Sequence, residues 1–127
     1  MHGKLLLLAT AMLFTSPAWA EDEAAMLKLA GASGCLGCHQ VNAGAPGIDG
    51  QPPTGPAWRD VAQQYRGKPG ALERLTDTVM TGSNPYASHW VGKVSGMPMP
   101  RNAVVIDREQ ARALVGWILS LEPLRRM

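Results

Sequence analysis

Helical periodicity organises the hydrophobic positions of this 127-residue chain. In residues 22–33 (DEAAMLKLAGAS), Met26, Leu27, Leu29 and Ala30 follow an acidic start that complements a helix dipole. In residues 56–66 (PAWRDVAQQYR), Trp58, Val61, Ala62 and Tyr65 fall at i, i+3, i+4 and i+7, with Pro56 opening the helix and Gly67 closing it. Residues 70–81 (GALERLTDTVMT) carry Leu72, Leu75, Val79 and Met80 and stop at Gly82. A last helix is predicted from Asp107 as its N-cap, with Gln110 at the capping-box position. Its apolar stripe is Ala111, Leu114, Trp117, Ile118 and Leu121, and Pro123 stops it. No stretch alternates with a period of two and no internal repeat appears, so the predicted class is all-α.

Between these helices lie two long segments whose prolines and glycines exclude regular structure: QVNAGAPGIDGQPPTG at 40–55, and residues 82–106, which contain GMPMPRN. Connections in a self-supporting helical bundle run to about 2–8 residues. Loops of this length fit a chain that wraps around something.

Ahead of the first helix the pattern changes. Lys4, a largely apolar run from Leu5 to Phe14, Pro17 and the small-residue end Ala18-Trp19-Ala20 follow the order of an export signal. The run is too short to span a bilayer, which needs about 20 apolar residues. Residues 1–20 are therefore expected to be removed, leaving a single domain at 21–127 with no membrane anchor, in the periplasm of a Gram-negative bacterium. The only Phe and one of the four Trp leave with the signal. The remaining charge is close to balanced, which gives no electrostatic case for nucleic acid or an anionic membrane. A domain this small with so few large apolar residues calls for an extra staple.

The chemistry that could supply one is concentrated in GASGCLGCHQV, which holds both cysteines, Cys35 and Cys38, followed at once by His39. A redox dithiol needs a βαβ context, and no strands are predicted. A closed zinc site needs two further ligands, and His89 is the one histidine left beyond the signal and the motif. A covalent haem needs CxxCH, an apolar pocket and a sixth ligand elsewhere. In a helical turn Cys35 and Cys38 share a face and His39 follows one turn after Cys35, so two thiols can meet one porphyrin while the imidazole meets its iron. One covalent haem c is the reading that the whole sequence supports.

For the sixth ligand, a thioether paired with His defines the high-potential electron-transfer haem. Met26 and Met80 sit on helix faces as core fillers and Met127 is a chain end, whereas Met97 and Met99 lie in a loop. Pro98 and Pro100 hold Met99 in an extended, polyproline-like course, in which side chains two residues apart point in different directions. Met99, with the stiffer backbone, is the first candidate; Met97 and His89 are the alternatives.

From Asp22 to Leu121 the chain resembles the class I c-type cytochromes, close to the small single-haem bacterial carriers. The matching stretches, in the family's order, are GCLGCH, GPAWRDVA, MTGS, MPMPRNAVV and ARALVGWILSL. The resemblance implies three or four helices around one haem, with the first and last helices crossing. It implies His39 and Met99 as axial ligands and Cys35 and Cys38 as thioether anchors. Pro56 would offer its carbonyl to the His39 ring N–H, and Asn102 its amide to the Met99 sulfur. Trp90 matches either a tryptophan that bonds a haem propionate or a packing residue, Trp58 is expected against the haem, and Trp117 at the helix crossing.

With both axial positions filled no coordination site stays open for bond-making, so the expected function is one-electron transfer and not catalysis. One expectation is a free, monomeric periplasmic shuttle between a quinol-side donor and a terminal reductase or oxidase. Another is the haem subunit of a periplasmic dehydrogenase, and a third a haem sensor whose methionine is displaced.

Overall fold

The computed structural model describes residues 18–44 and 51–124. The segment expected as a signal lies almost wholly outside the described residues, as do the tip of the first long loop and the last three residues. Four α-helices make up the fold: α1 (Ala18–Ala32), α2 (Trp58–Tyr65), α3 (Ala71–Thr81) and α4 (Arg108–Ser120). No strand occurs among the described residues. The all-α expectation holds.

The helix ends follow from local chemistry. Asp107 accepts a hydrogen bond from the Gln110 N–H at 2.8 Å, and the Gln110 side chain accepts from the Asp107 N–H at 3.2 Å, closing the capping box on α4. α1 ends where Gly34 adopts φ 77°, and α3 ends at Gly82 with φ 89°. α2 differs from the expectation by starting at Trp58 rather than Pro56. The reason is tertiary: the N–H groups of Trp58 and Arg59 donate to Gln40 and Val41 carbonyls at 2.8 and 3.1 Å, tying this end to the first loop. α1 starts at Ala18, earlier than expected, and so runs through the anticipated cleavage point. The second loop holds a short 3-10 turn, Pro85–Ala87, set by the Asn84 side chain accepting from the Tyr86 N–H at 3.0 Å.

α4 packs against each of the other three helices and carries the centre of the core. Ala111, Leu114, Val115 and Ile118 are buried on it, in one cluster with Ala30 of α1, Trp58 and Ala62 of α2, and Val79 of α3. Ala30 and Ala111 have no exposure at all, and their small side chains let their helices approach closely. Thr76, also fully buried, satisfies its hydroxyl on the Leu72 carbonyl at 2.7 Å. Outside the core, Arg108 pairs with Asp77 and Glu73, and Arg112 with Glu73. These half-exposed pairs are screened by solvent and add little. The core is slim: five of its twelve buried hydrophobics are alanines.

Candidate functional site

A cavity of about 390 Å³ opens between the helices and the two long loops. Its size is that of a small-molecule or cofactor site, where about 300–1,000 Å³ is typical. Cys35, Cys38, His39, Met97 and Met99 all line it. Val61, Leu75, Val79, Val115 and Ile118 supply apolar walls.

One wall is built from the CxxCH segment. Residues Cys35–Gly37 form a 3-10 turn, and the N–H groups of Cys38 and His39 both return to the Cys35 carbonyl, at 3.2 and 3.0 Å. This single turn brings the two thiols and the imidazole together. The two cysteines form no disulfide with each other, and Cys35 is half-buried while Cys38 is exposed. Burial pushes the Cys35 thiol up, and the neighbouring Cys38 acts in the same direction, so Cys35 stays protonated until it reacts.

His39 is held from three sides. Its Nδ1 lies 2.8 Å from the Pro56 carbonyl. A carbonyl can only accept, so Nδ1 carries the proton and Nε2 keeps its lone pair for a metal. Burial lowers the His39 pKa, with the Pro56 carbonyl opposing, and the ring is neutral near pH 7. Trp58 stacks on the imidazole with ring centroids 5.9 Å apart at 24°, and Trp117 meets Trp58 edge-on at 5.8 Å. Gly55 closes the third side. A Cβ there would stand 2.8 Å from His39 Cε1 and 3.0 Å from the Cys38 carbonyl, so the ring occupies space only glycine leaves free. In the sequence Gly55 stands out as the residue directly before Pro56 that helps place its carbonyl; its close approach to the His39 ring belongs to the fold.

Two methionines of the second long loop also line the cavity. Met99 is half-buried, and Met97 is 64% exposed. The Met99 peptide is bonded to Ser83, which follows α3. Asn102 departs from what the resemblance implied. Its amide donates to the Pro100 carbonyl at 2.8 Å and to the Val79 carbonyl at 3.2 Å instead of to the Met99 sulfur. With both amide hydrogens spent on backbone, Asn102 acts as a clasp between the loop and α3.

The remaining candidates also reach the cavity. Trp90 is half-buried in its lining, with the Lys93 ammonium 5.7 Å over its ring. His89 is exposed at the rim, its Nδ1 3.1 Å from the Tyr65 hydroxyl. Among the described residues no group of three or more His, Cys, Asp or Glu is placed to hold a metal ion, which leaves the zinc reading without a ligand set.

The donor set fits a haem: two thiols three positions apart, a neutral imidazole with a free Nε2, and a thioether, all lining one largely apolar cavity. The comparisons agree. The family described as Cytochrome c matches residues 27–122. The chain is 41% identical to cytochrome c-551 of Allochromatium vinosum over 110 residues, covering 87% of this chain and all of that one. It is 35% identical to cytochrome c-551 of Pseudomonas aeruginosa over 119 residues, or 94% of this chain and 95% of that one. The crystal structure of Nitrosomonas europaea cytochrome c552 superposes with a TM-score of 0.59 and 32% identity, covering 76% of this chain and 99% of that one. The chain belongs to the cytochrome c family and has its fold. It is an electron-transfer protein with covalently attached haem c, not an enzyme.

Proposed function

We propose that this chain carries single electrons in the bacterial periplasm on one haem c, held by thioether bonds from Cys35 and Cys38 and by His39 and Met99 as axial ligands. The observation that carries this reading is the meeting of these four side chains on one apolar cavity, with the His39 Nδ1 proton committed to Pro56. When bound, the haem supplies reversible one-electron transfer between ferric and ferrous iron.

The chain's own residues set the terms. Pro56 fixes the His39 ring and raises its basicity. Met99 offers a soft sulfur, which favours the reduced state. Val79, Val115 and Ile118 keep water from that side of the cavity, and a low dielectric disfavours the extra charge of the oxidised state. Residues 1–20 act as the export signal, and among the described residues no helix is long and apolar enough to cross a membrane. The mature protein is a mobile monomer that meets its donor and acceptor by diffusion.

Three measurements on the exported protein test this. Its mass should equal residues 21–127 plus one haem, and denaturation should not release the haem. The oxidised protein should show the near-infrared charge-transfer band of a methionine–ferric bond. Met99→Ala should abolish that band and Met97→Ala should leave it; the reverse result moves the ligand to Met97. Free thiols on mature, folded protein reject the haem attachment.

A further inference from the structure

Met97 and Met99 line the same wall, and each has its peptide N–H on a serine hydroxyl. For Met97 the acceptor is Ser95 Oγ at 3.4 Å, two residues back in the same loop. For Met99 it is Ser83 Oγ at 2.9 Å, sixteen residues back and one residue beyond the Gly82 that ends α3. The Ser83 N–H returns a bond to the Met99 carbonyl at 3.0 Å. Both polar groups of Met99's backbone therefore close on one residue. Pro98 and Pro100 have no N–H, so Met99 owns the only backbone donor in Pro98–Pro100, and Ser83 takes it. Gly82 makes the approach possible, since a Cβ on it would stand 2.9 Å from the Met99 carbonyl oxygen.

We propose that Ser83 is the positioning residue for the methionine ligand: its two-bond bracket hooks Pro98–Pro100 onto the end of α3 and sets how readily Met99 leaves the iron. The proposal rests on the reading of Met99 as axial ligand. Ser83 never touches the iron; it acts through the Met99 backbone. The Ser95 bond differs in kind. Ser95 also donates its N–H to the Pro53 carbonyl at 2.9 Å, so it joins loop to loop and fixes nothing to a helix. A half-buried N–H that loses its acceptor forfeits a bond worth roughly a fivefold shift in the open–closed equilibrium.

The test compares Ser83→Ala, Ser83→Thr and Ser95→Ala in the haem-loaded protein. Three readouts are taken: exchange of the Met99 amide hydrogen, strength of the near-infrared band, and affinity of the ferric protein for imidazole as a competing probe. Ser83→Ala should raise the exchange rate and the imidazole affinity by about fivefold each and weaken the band. Ser83→Thr should restore all three, and Ser95→Ala should leave them as in the parent. If Ser83→Ala does not accumulate as folded protein, Ser83→Cys, a similar size with a poor acceptor, should shift the readouts in the same direction. Parent-like exchange and imidazole affinity in Ser83→Ala, or equal changes in Ser95→Ala, overturn the proposal. Met99→Ala is run beside them: a band that survives it rejects the ligand reading itself, whereas a band lost there, with exchange and imidazole affinity untouched by Ser83→Ala, rejects only the role of Ser83.

Discussion

The two walls of the cavity are assembled by opposite routes. The cysteine–histidine wall comes from five consecutive residues, and one 3-10 turn with two hydrogen bonds to the Cys35 carbonyl brings its donors together. The methionine wall comes from an extended segment with no structure of its own. It is placed by Ser83, by the clasp of Asn102 onto Val79 and Pro100, and by the space that Gly82 leaves. A local turn is specified wherever its residues occur together. An extended segment has a position only if something distant holds it. The two walls should therefore fail separately, the methionine wall more easily.

The largest expected effect comes from removing the haem altogether. A cavity of about 390 Å³ left empty would cost about 9 kcal/mol at ~24 cal/mol per Å³, a ceiling because the cavity is partly open. Small domains are stable by about 5–15 kcal/mol in total. Chain produced without haem should show no cooperative thermal transition by circular dichroism. A sharp melt would mean that the helix core around α4 stands without its cofactor.

Next is Gly82→Ala, aimed at the methionine wall. Gly82 has φ 89° and ψ 173°, a region open essentially to glycine alone, where another residue costs about 1–3 kcal/mol. The added Cβ also runs into the Met99 carbonyl. Unfolding free energy should fall by about 3 kcal/mol and the near-infrared band should disappear. Gly55→Ala is its counterpart on the other wall. No left-handed strain applies there, and crowding of the His39 ring should cost about 2 kcal/mol. The band should survive while the His39 ring resonances of the ferric protein shift. If each variant perturbs both walls equally, the walls are one unit and the comparison fails.

The smallest effect is expected of Pro56→Ala. The carbonyl remains, but the turn that aims it at His39 loosens, and the unfolded chain gains freedom worth about 0.4–1 kcal/mol. A weaker bond to His39 makes the imidazole a poorer donor, which by itself raises the reduction potential. A loosened loop admits water, which favours the more highly charged ferric state and lowers the potential. The segment is held chiefly by a few backbone bonds, so solvation should win and the potential should fall with the melting temperature. Redox titration and thermal melts check both. No change in either would leave Pro56 as a residue of the turn only.

How far the chain could be read in advance follows the same division. Apolar spacing located α1 to α4, Asp107 and Gln110 announced the capping box, and CxxCH announced the haem, because each is a relation among residues within one or two turns. Three features stayed hidden. Pro56 read as the start of α2, yet the helix begins at Trp58 because that backbone is drawn to Gln40 and Val41. Asn102 was assigned to the Met99 sulfur through a family resemblance, and its amide serves two carbonyls. Ser83 gave no signal at all beyond its place in MTGS.

By itself, then, the sequence determined the helical class, the helix ends set by glycine and caps, and the cofactor that two cysteines and a histidine can bind. The flanking prolines already set Met99 ahead of Met97, and the tertiary structure decided how each is held: Met99 is half-buried and bracketed by Ser83, while Met97 is left 64% exposed. The physical reason is the reach of the interactions. Periodicity, capping and a 3-10 turn are governed by neighbours a few residues away, and so leave a pattern in the chain. A serine hydroxyl that finds a peptide N–H sixteen residues on leaves none, because the bond exists only after α3, the loop and α4 have packed.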